Sequence, residues 1–254
     1  MKKWDLTGKR ALITGATKGI GKAIAEEFME LGAEVMIVAR NKHELEEIVR
    51  LWQTEGRLVT GIAGDVSKAA DRKRIGAAIE ERWGALDALV NNAGTNIRKK
   101  LEEYNEEEIR HVFEVNLFSA IELCRLCLNY LMLGKGPSVI NIASISGSVD
   151  THSGAPYGMS KAALIQLSRN LAVEWAEHGI RVNTVSPSYT DTPLAAPVLK
   201  RPDRLQHIID RTPLSRVAQA EEVAGPVAFL AMDKASFITG QNIVIDGGLL
   251  AKGL

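Results

Sequence analysis

The sequence predicts a doubly wound α/β fold: one parallel sheet of seven strands with helices on both faces. Short β-rich apolar runs alternate with helix-period segments from end to end. The 254 residues, 46% of them hydrophobic, are enough to bury one large core, so a single domain over 1–254 is expected. A glycine-rich stretch follows the first apolar run directly, where folds of this class turn from strand into helix.

Taken in order, the first strand is Arg10–Thr14, running into Thr14-Gly15-Ala16-Thr17-Lys18-Gly19-Ile20-Gly21 and a helix beginning near Ile20. The second strand, Glu34–Ala39, precedes a helix over Lys42–Thr54 with Leu45, Ile48, Val49 and Trp52 at i, i+3, i+4 and i+7. Such a helix lays one face on the sheet. Strands at 58–63, 86–90, 138–143, 181–185 and Asn242–Ile245 complete the seven. The helices at 117–133 and 162–176 differ in being apolar around much of their circumference, with Ile121, Leu123, Leu126, Leu128 and Leu131 on one and Leu164, Ile165, Leu167, Leu171, Val173 and Trp175 on the other. A helix without a polar face is covered on both sides. One side can meet the sheet and the other a partner subunit, so a homotetramer, or else a dimer, is expected.

Composition narrows the class of partner. Lys plus Arg equals Asp plus Glu at 31 each, so no net field draws the chain to nucleic acid or an anionic membrane, and a small molecule is the expected partner. The start Met1-Lys2-Lys3 has the charge of a signal peptide but not the apolar stretch that follows in one. No other window reads as a bilayer span, so a cytoplasmic location is expected. Cys124 and Cys127 have Cys-x-x-Cys spacing, but they lie in an apolar helix without a second ligand pair. They read as packing residues, and no metal site is expected. Arg98-Lys99-Lys100 and the acidic residues after it read as a solvated loop and helix start.

The glycine loop carries the first chemical signal. Gly15, Gly19 and Gly21 let backbone N–H groups approach a pyrophosphate at the positive end of the helix that follows, with Thr17, Lys18 and Ile20 lining the same turn. Strand two ends in Arg40, where enzymes using NAD(H) place an acidic residue for the ribose. Arg40 can fork onto a 2′-phosphate and Lys18 can add a second cation, which favours NADP(H) over NAD(H).

The second signal is Tyr157-Gly158-Met159-Ser160-Lys161, which puts a phenol and an ammonium on one helix face. A nearby cation lowers the pKa of a phenol from about 10 and makes it a usable acid and base. Ser144 ends the fifth strand and Asn91-Asn92-Ala93-Gly94 the fourth, both at carboxyl ends that gather around one crevice.

Together with Asp65, Asn116 and Asp246-Gly247-Gly248, these motifs resemble, in order and spacing, the short-chain dehydrogenase/reductase family over essentially the whole chain. Arg40-Asn41-Lys42-His43-Glu44-Leu45, Trp52 and the end Asp246 to Lys252 look most like its tropinone-reductase-like branch. The resemblance implies a Rossmann fold and interconversion of a ketone and a secondary alcohol. It makes Tyr157 the general acid and base, Lys161 the group that lowers its pKa and binds the nicotinamide ribose, and Ser144 a donor to the developing alkoxide. Asn116 would hold a water that serves Lys161. Asp65 and Val66 would meet the adenine; Asn92, Ala93 and Gly94 would bind the cofactor, with Asn92 also helping to hold the central strands; Pro187 and Thr190 would bind the cofactor as well, and Thr192 would reach its pyrophosphate and nicotinamide side.

One departure stands out. The family usually has Pro-Gly after strand six, whereas this chain reads Pro187-Ser188; a left-handed backbone there would cost serine about 1–2 kcal/mol. Substrate choice is expected in 95–98, in 145–156, which includes His152, and in an apolar lid at 192–212 around Leu194, Val198 and Leu199. The rival readings are a β-ketoacyl reductase acting on acyl carrier protein, a polyol or sugar-acid dehydrogenase, and a dinucleotide-sensing regulator. The first would want a basic docking face where Val173 and Trp175 stand, and the last would be expected to lose the Tyr157/Lys161 pair.

Overall fold

Strand β1, Arg10–Thr14, sends Ala11 and Ile13 to one face of the sheet and Leu12 to the other, and all three are fully buried. A strand covered on both faces must be apolar throughout, which is why the strands read as unbroken apolar runs. In β2, Glu34–Ala39, Val35 and Ile37 join one core while Met36 and Val38 join the other. A computed structural model describes residues 4–252, so the charged start Met1-Lys2-Lys3 lies outside the described residues.

The sheet continues with β3 (Val59–Ala63), β4 (Ala88–Asn91), β5 (Ser138–Ile142), β6 (Arg181–Pro187) and β7 (Asn242–Ile245), all parallel, in the order β3-β2-β1-β4-β5-β6-β7. The chain winds outward from β1 to β3 and resumes at β4 on the other side of β1. The strand order therefore reverses between β1 and β4, where a crevice opens at the carboxyl ends. β6 runs past its expected end at 185: β5 stops pairing at Val185, so Pro187 needs only the β7 side of the ladder.

Helices α1 (Gly19–Glu30), α2 (Lys42–Thr54) and α9 (Ala220–Ala231) cover one face, burying Ile24, Phe28, Leu45, Trp52, Val223 and Val227. α3 (Ala69–Arg82), α5 (Ser119–Met132) and α6 (Ala155–Glu174) cover the other with Ile75, Ile79, Leu123, Cys127 and Leu171. α7 (Ala196–Leu199) and α8 (Pro202–Arg211) fall within the segment expected as a lid.

Two expectations need correction. α5 is the second half of one helix, Glu106–Met132, that begins as α4 (Glu106–Phe113) and passes through a π-helical turn at Glu114–Phe118. The helix start expected in its acidic residues is there: Asn105 and Glu108 form a reciprocal capping box and carboxylates favour a helix N-terminus. This helix is long and apolar enough to cross a membrane by length and composition, contrary to the expectation that no window is; it packs against α3, β4 and α6. The sheet sides of α5 and α6 are buried, while Phe118, Met159 and Val173 are exposed in the single chain and Trp175 is buried.

At the other end of β1 and β4, Asp87 is wholly buried and its carboxylate accepts from the N–H of Arg10 (2.8 Å), Arg10 Nε (2.9 Å) and the N–H of Lys135. Burial pushes this carboxyl up, but the hydrogen bonds from Arg10 and from the two backbone groups outweigh it and hold the group below 3.8. A depressed carboxyl stabilises the fold above its unfolded value and loses that contribution as pH falls through the folded one. Asp87→Ala is expected to cost about 3 kcal/mol in urea denaturation at neutral pH. The gap from wild type should narrow as pH drops below 3.8.

Candidate active site

The carboxyl ends of β1, β4, β5 and β6 open on a cleft of about 530 Å³. Thr14, the last residue of β1, turns its buried hydroxyl toward β4, where it accepts from the N–H groups of Asn92 and Ala93, both at 3.0 Å. Asn92 answers with Nδ2, which donates to the carbonyls of Thr14 (2.9 Å) and Gly15 (3.1 Å). The two diverging strand ends are thereby tied across the crevice.

The glycine loop lies against this tie. Gly15 and Gly19 have left-handed φ of +68° and +57°, and a Cβ on Gly21 would lie 2.3 Å from both Asn92 Nδ2 and the Gly15 carbonyl. Glycine is therefore required at Gly21 by contact and at Gly15 and Gly19 by conformation. Thr17, Lys18, Gly19, Ile20 and Gly21 line the cleft, and no side chain caps the N-terminus of α1. Exposed N–H groups, a positive helix end and a loop without Cβ atoms fit the pyrophosphate of a dinucleotide. Arg40 sits between β2 and α2, whose first N–H groups are capped by Asn41. Lys18 lies 3.9 Å from Glu44, and both line this end together with Asp65 and Val66. Asp65 Oδ1 accepts from the N–H (3.0 Å) and hydroxyl (2.7 Å) of Ser67, which fixes the turn after β3.

On the opposite wall, α6 begins at Ala155, earlier than expected, because Gly154 turns at φ +90° and Pro156 enters the first helical turn. Tyr157 and Lys161 thus share one face of α6 and both line the cleft with Ser144. Lys161 is buried and its Nζ donates to the Ile142 carbonyl at the end of β5 (2.8 Å), 5.7 Å from the centre of the Tyr157 ring. Burial pushes the Lys161 ammonium down to about 8. Tyr157 departs from expectation: burial pushes its phenol up, and the groups opposing that rise are the Ser144 hydroxyl and the positive charge of Arg98. The Lys161 ammonium, itself desolvated, is bonded to the end of β5 while it stands over the phenol ring.

Every cofactor residue named from the sequence lines this one cleft, including Gly94, Ala93, Pro187, Thr190 and Thr192. Asn116 stands behind it, at the π-helical turn, with Oδ1 accepting from Thr95 N–H (2.7 Å) and Nδ2 donating to the Thr95 carbonyl (3.0 Å) and Ser160 Oγ (3.1 Å). Its amide and the Lys161 ammonium both flank Gly94. The strain considered for Ser188 is absent: among the described residues only His152 and Ser215 have positive φ outside glycine. Ser188 N–H bonds to Ile245 O (2.9 Å), so the chain stays extended beside β7. His152 is exposed beside Asp150 and does not line the cleft.

The family model described as enoyl-(acyl carrier protein) reductase matches residues 15–250. The chain belongs to the short-chain dehydrogenase/reductase family. It is 42% identical over 253 residues to a tropinone reductase homolog of Arabidopsis thaliana, covering 99% of this chain and 96% of the relative. Senescence-associated protein 13 of the same plant is 41% identical over 252 residues, covering 99% and 93%. Among solved structures, a gluconate 5-dehydrogenase from Burkholderia cenocepacia in complex with NADP and tartrate superposes with a TM-score of 0.94 at 30% identity, covering 99% of each chain. A short-chain type dehydrogenase/reductase from Mycobacterium marinum gives 0.92 at 33% identity, covering 98% of each. The protein is thus a short-chain oxidoreductase built on the Rossmann fold.

Sequence reasoning missed Tyr189 and, while expecting substrate choice in 145–156, did not single out Ser146, Thr151 and Ser153 within it. Tyr189 lines the cleft and its hydroxyl donates to Thr151 O (2.8 Å). Ser146, Thr151 and Ser153 extend the Ser144 hydroxyl into a chain, with Oγ contacts of 3.1, 2.6 and 2.8 Å. Their density in 144–153 was the available signal. Gly21→Ala is expected to weaken dinucleotide binding at least about tenfold in fluorescence titration, because either the loop or Asn92 must move to admit the methyl group.

Proposed function

We propose that this chain is an NADP(H)-dependent oxidoreductase that interconverts a small ketone and a secondary alcohol, with Tyr157 as the general acid and base. The carrying observation is that Ser144, Tyr157 and Lys161 share one cleft with the glycine loop. Bound NADP(H) supplies or accepts the hydride. In reduction Tyr157 gives its hydroxyl proton to the carbonyl oxygen, and in oxidation it takes that proton back. Ser144 donates to the same oxygen as negative charge grows on it. Lys161, with its ammonium lowered to about 8, keeps its proton at neutral pH yet can exchange it. Asn116 positions the 95 loop against α6.

Arg40 and Lys18 support NADP(H), as a guanidinium at the strand end suits a 2′-phosphate. A second reading, NAD(H), is favoured by Glu44, whose carboxylate lines the same end and could accept from a ribose hydroxyl. On the substrate, the relatives point in different directions: some are tropinone reductase homologs, and a structural neighbour is a gluconate dehydrogenase. A β-ketoacyl reductase is disfavoured, since Val173 offers an exposed apolar surface instead of a basic one. Retention of Tyr157 and Lys161 argues against a dinucleotide-sensing regulator.

We further propose one domain, a lid at 192–212, a cytoplasmic location without nucleic-acid or membrane partners, and a homotetramer. Exposed Val173 and Phe237 and the open edge of β7 support the assembly.

Tyr157→Phe is expected to lower kcat by about 10²–10⁴ while NADPH binding survives; turnover at the wild-type rate would overturn the mechanism. Arg40→Ala is expected to raise KM for NADPH about tenfold and leave KM for NADH nearly unchanged. Equal efficiency of wild type with both cofactors would defeat the NADP(H) assignment.

A further inference from the structure

Arg98 lines the cleft, and among the described residues no carboxylate pairs with it. It follows β4 on a loop held in place by the Tyr104 hydroxyl, which donates to the carbonyl of Ile97. Left-handed Gly154 lets the loop before α6 close against the same point, where a Cβ would meet Tyr104 and lie 3.2 Å from the Ile97 carbonyl. The backbone that carries Arg98 is therefore fixed. Among the described residues its side chain is not satisfied: Nη2 donates to the Leu194 carbonyl at a long 3.4 Å, and Nε is buried with no partner. Neighbouring cations do better, with Lys99 paired to Glu108 and Arg110 to Glu106.

Nε and Nη2 share one edge of the guanidinium, the edge that accepts a carboxylate in two parallel hydrogen bonds. A buried, unpaired donor on a charged group is costly unless something binds it. The position of this cation gives it a use. Its charge bears on the phenols of both Tyr157 and Tyr189, so it lies over the reacting end of the cleft and not over the adenosine end. Arg204 on α8 adds positive charge beside Tyr189 from the lid side. Asp150 opposes it there, but Asp150 is exposed and paired with His152. The hydroxyl chain of Ser144, Ser146, Thr151 and Ser153 lines the same cleft.

We infer that Arg98 binds a carboxylate of the substrate, so that the pair interconverted here is a small keto acid and its hydroxy acid. The hydroxyl chain suits a substrate that carries further hydroxyl groups. This inference rests on the ketone–alcohol reading above and narrows it to anionic substrates.

The test compares keto acids with their own methyl esters, which keep the carbonyl and remove the charge. NADPH oxidation is followed with 4-oxopentanoate, 5-oxohexanoate and the two esters, for wild type, Arg98→Gln and Arg98→Lys. Wild type is expected to favour at least one acid over its ester by about tenfold or more in kcat/KM. Arg98→Gln should bring that ratio to within about twofold, with the loss mainly in KM, and Arg98→Lys should fall between. NADPH titration verifies that each variant is folded. Esters equal to or better than both acids in wild type, or an unchanged ratio in Arg98→Gln, would overturn the inference.

A second arm separates this failure from failure of the ketone–alcohol reading. Tartrate binding to the NADPH-loaded protein is measured by calorimetry. If no carbonyl compound oxidises NADPH, the ketone–alcohol reading falls, while tartrate bound at least about tenfold more tightly by wild type than by Arg98→Gln still supports the anion site. Equal binding by the two proteins, or none by wild type, overturns it.

Discussion

β1 and β4 run side by side as far as Ile13 and Val90, and beyond that register their chains leave in opposite directions. Backbone groups that would have continued the ladder then need other partners. Thr14 and Asn92 provide them by bonding across the gap, and the same Asn92 amide leaves no room for a Cβ at Gly21. The shape of the glycine loop and its position against the end of β4 are consequences of this one cross-tie. Moving the amide disturbs both together.

The opposite wall is positioned by buried polarity. Asn91 on β4 donates to Asn141 on β5 (2.8 Å), and Asn141 donates to Ser168 on α6 (2.8 Å). These groups are buried, and each bond avoids the penalty of an unpaired amide in a low-dielectric interior. The network fixes the rotation of α6 and so the direction in which Tyr157 and Lys161 point. Carrying the Lys161 ammonium into this environment lowers it to about 8, which poises it between holding and releasing a proton.

Much of this was legible in the sequence because it rests on period and on glycine. Strands Arg10–Thr14, Glu34–Ala39 and Asn242–Ile245 and the helix Lys42–Thr54 have the expected bounds, since apolar alternation and the spacing of Leu45 and Trp52 leave few choices. The residues expected around the cofactor converge because strand ends and helix starts place them. Failures came where tertiary contact decides. Ser188 sits in an extended ladder, and the Lys161 ammonium, 5.7 Å from the centre of the phenol ring, donates to the Ile142 carbonyl. Arg98 belongs in sequence both to the 95–98 segment expected to govern substrate choice and to a solvated charge run, and only the fold separates it from paired Lys99.

Cys124 and Cys127 are free and fully enclosed beneath α5, and burial pushes the Cys124 thiol up to about 12 and Cys127 higher still. Neither offers a thiolate to an oxidant or alkylating reagent while the helix is seated. As the chain's only two sulfhydryls, they form a built-in clock: the pace at which a thiol reagent consumes them measures how often α5 lifts from the sheet.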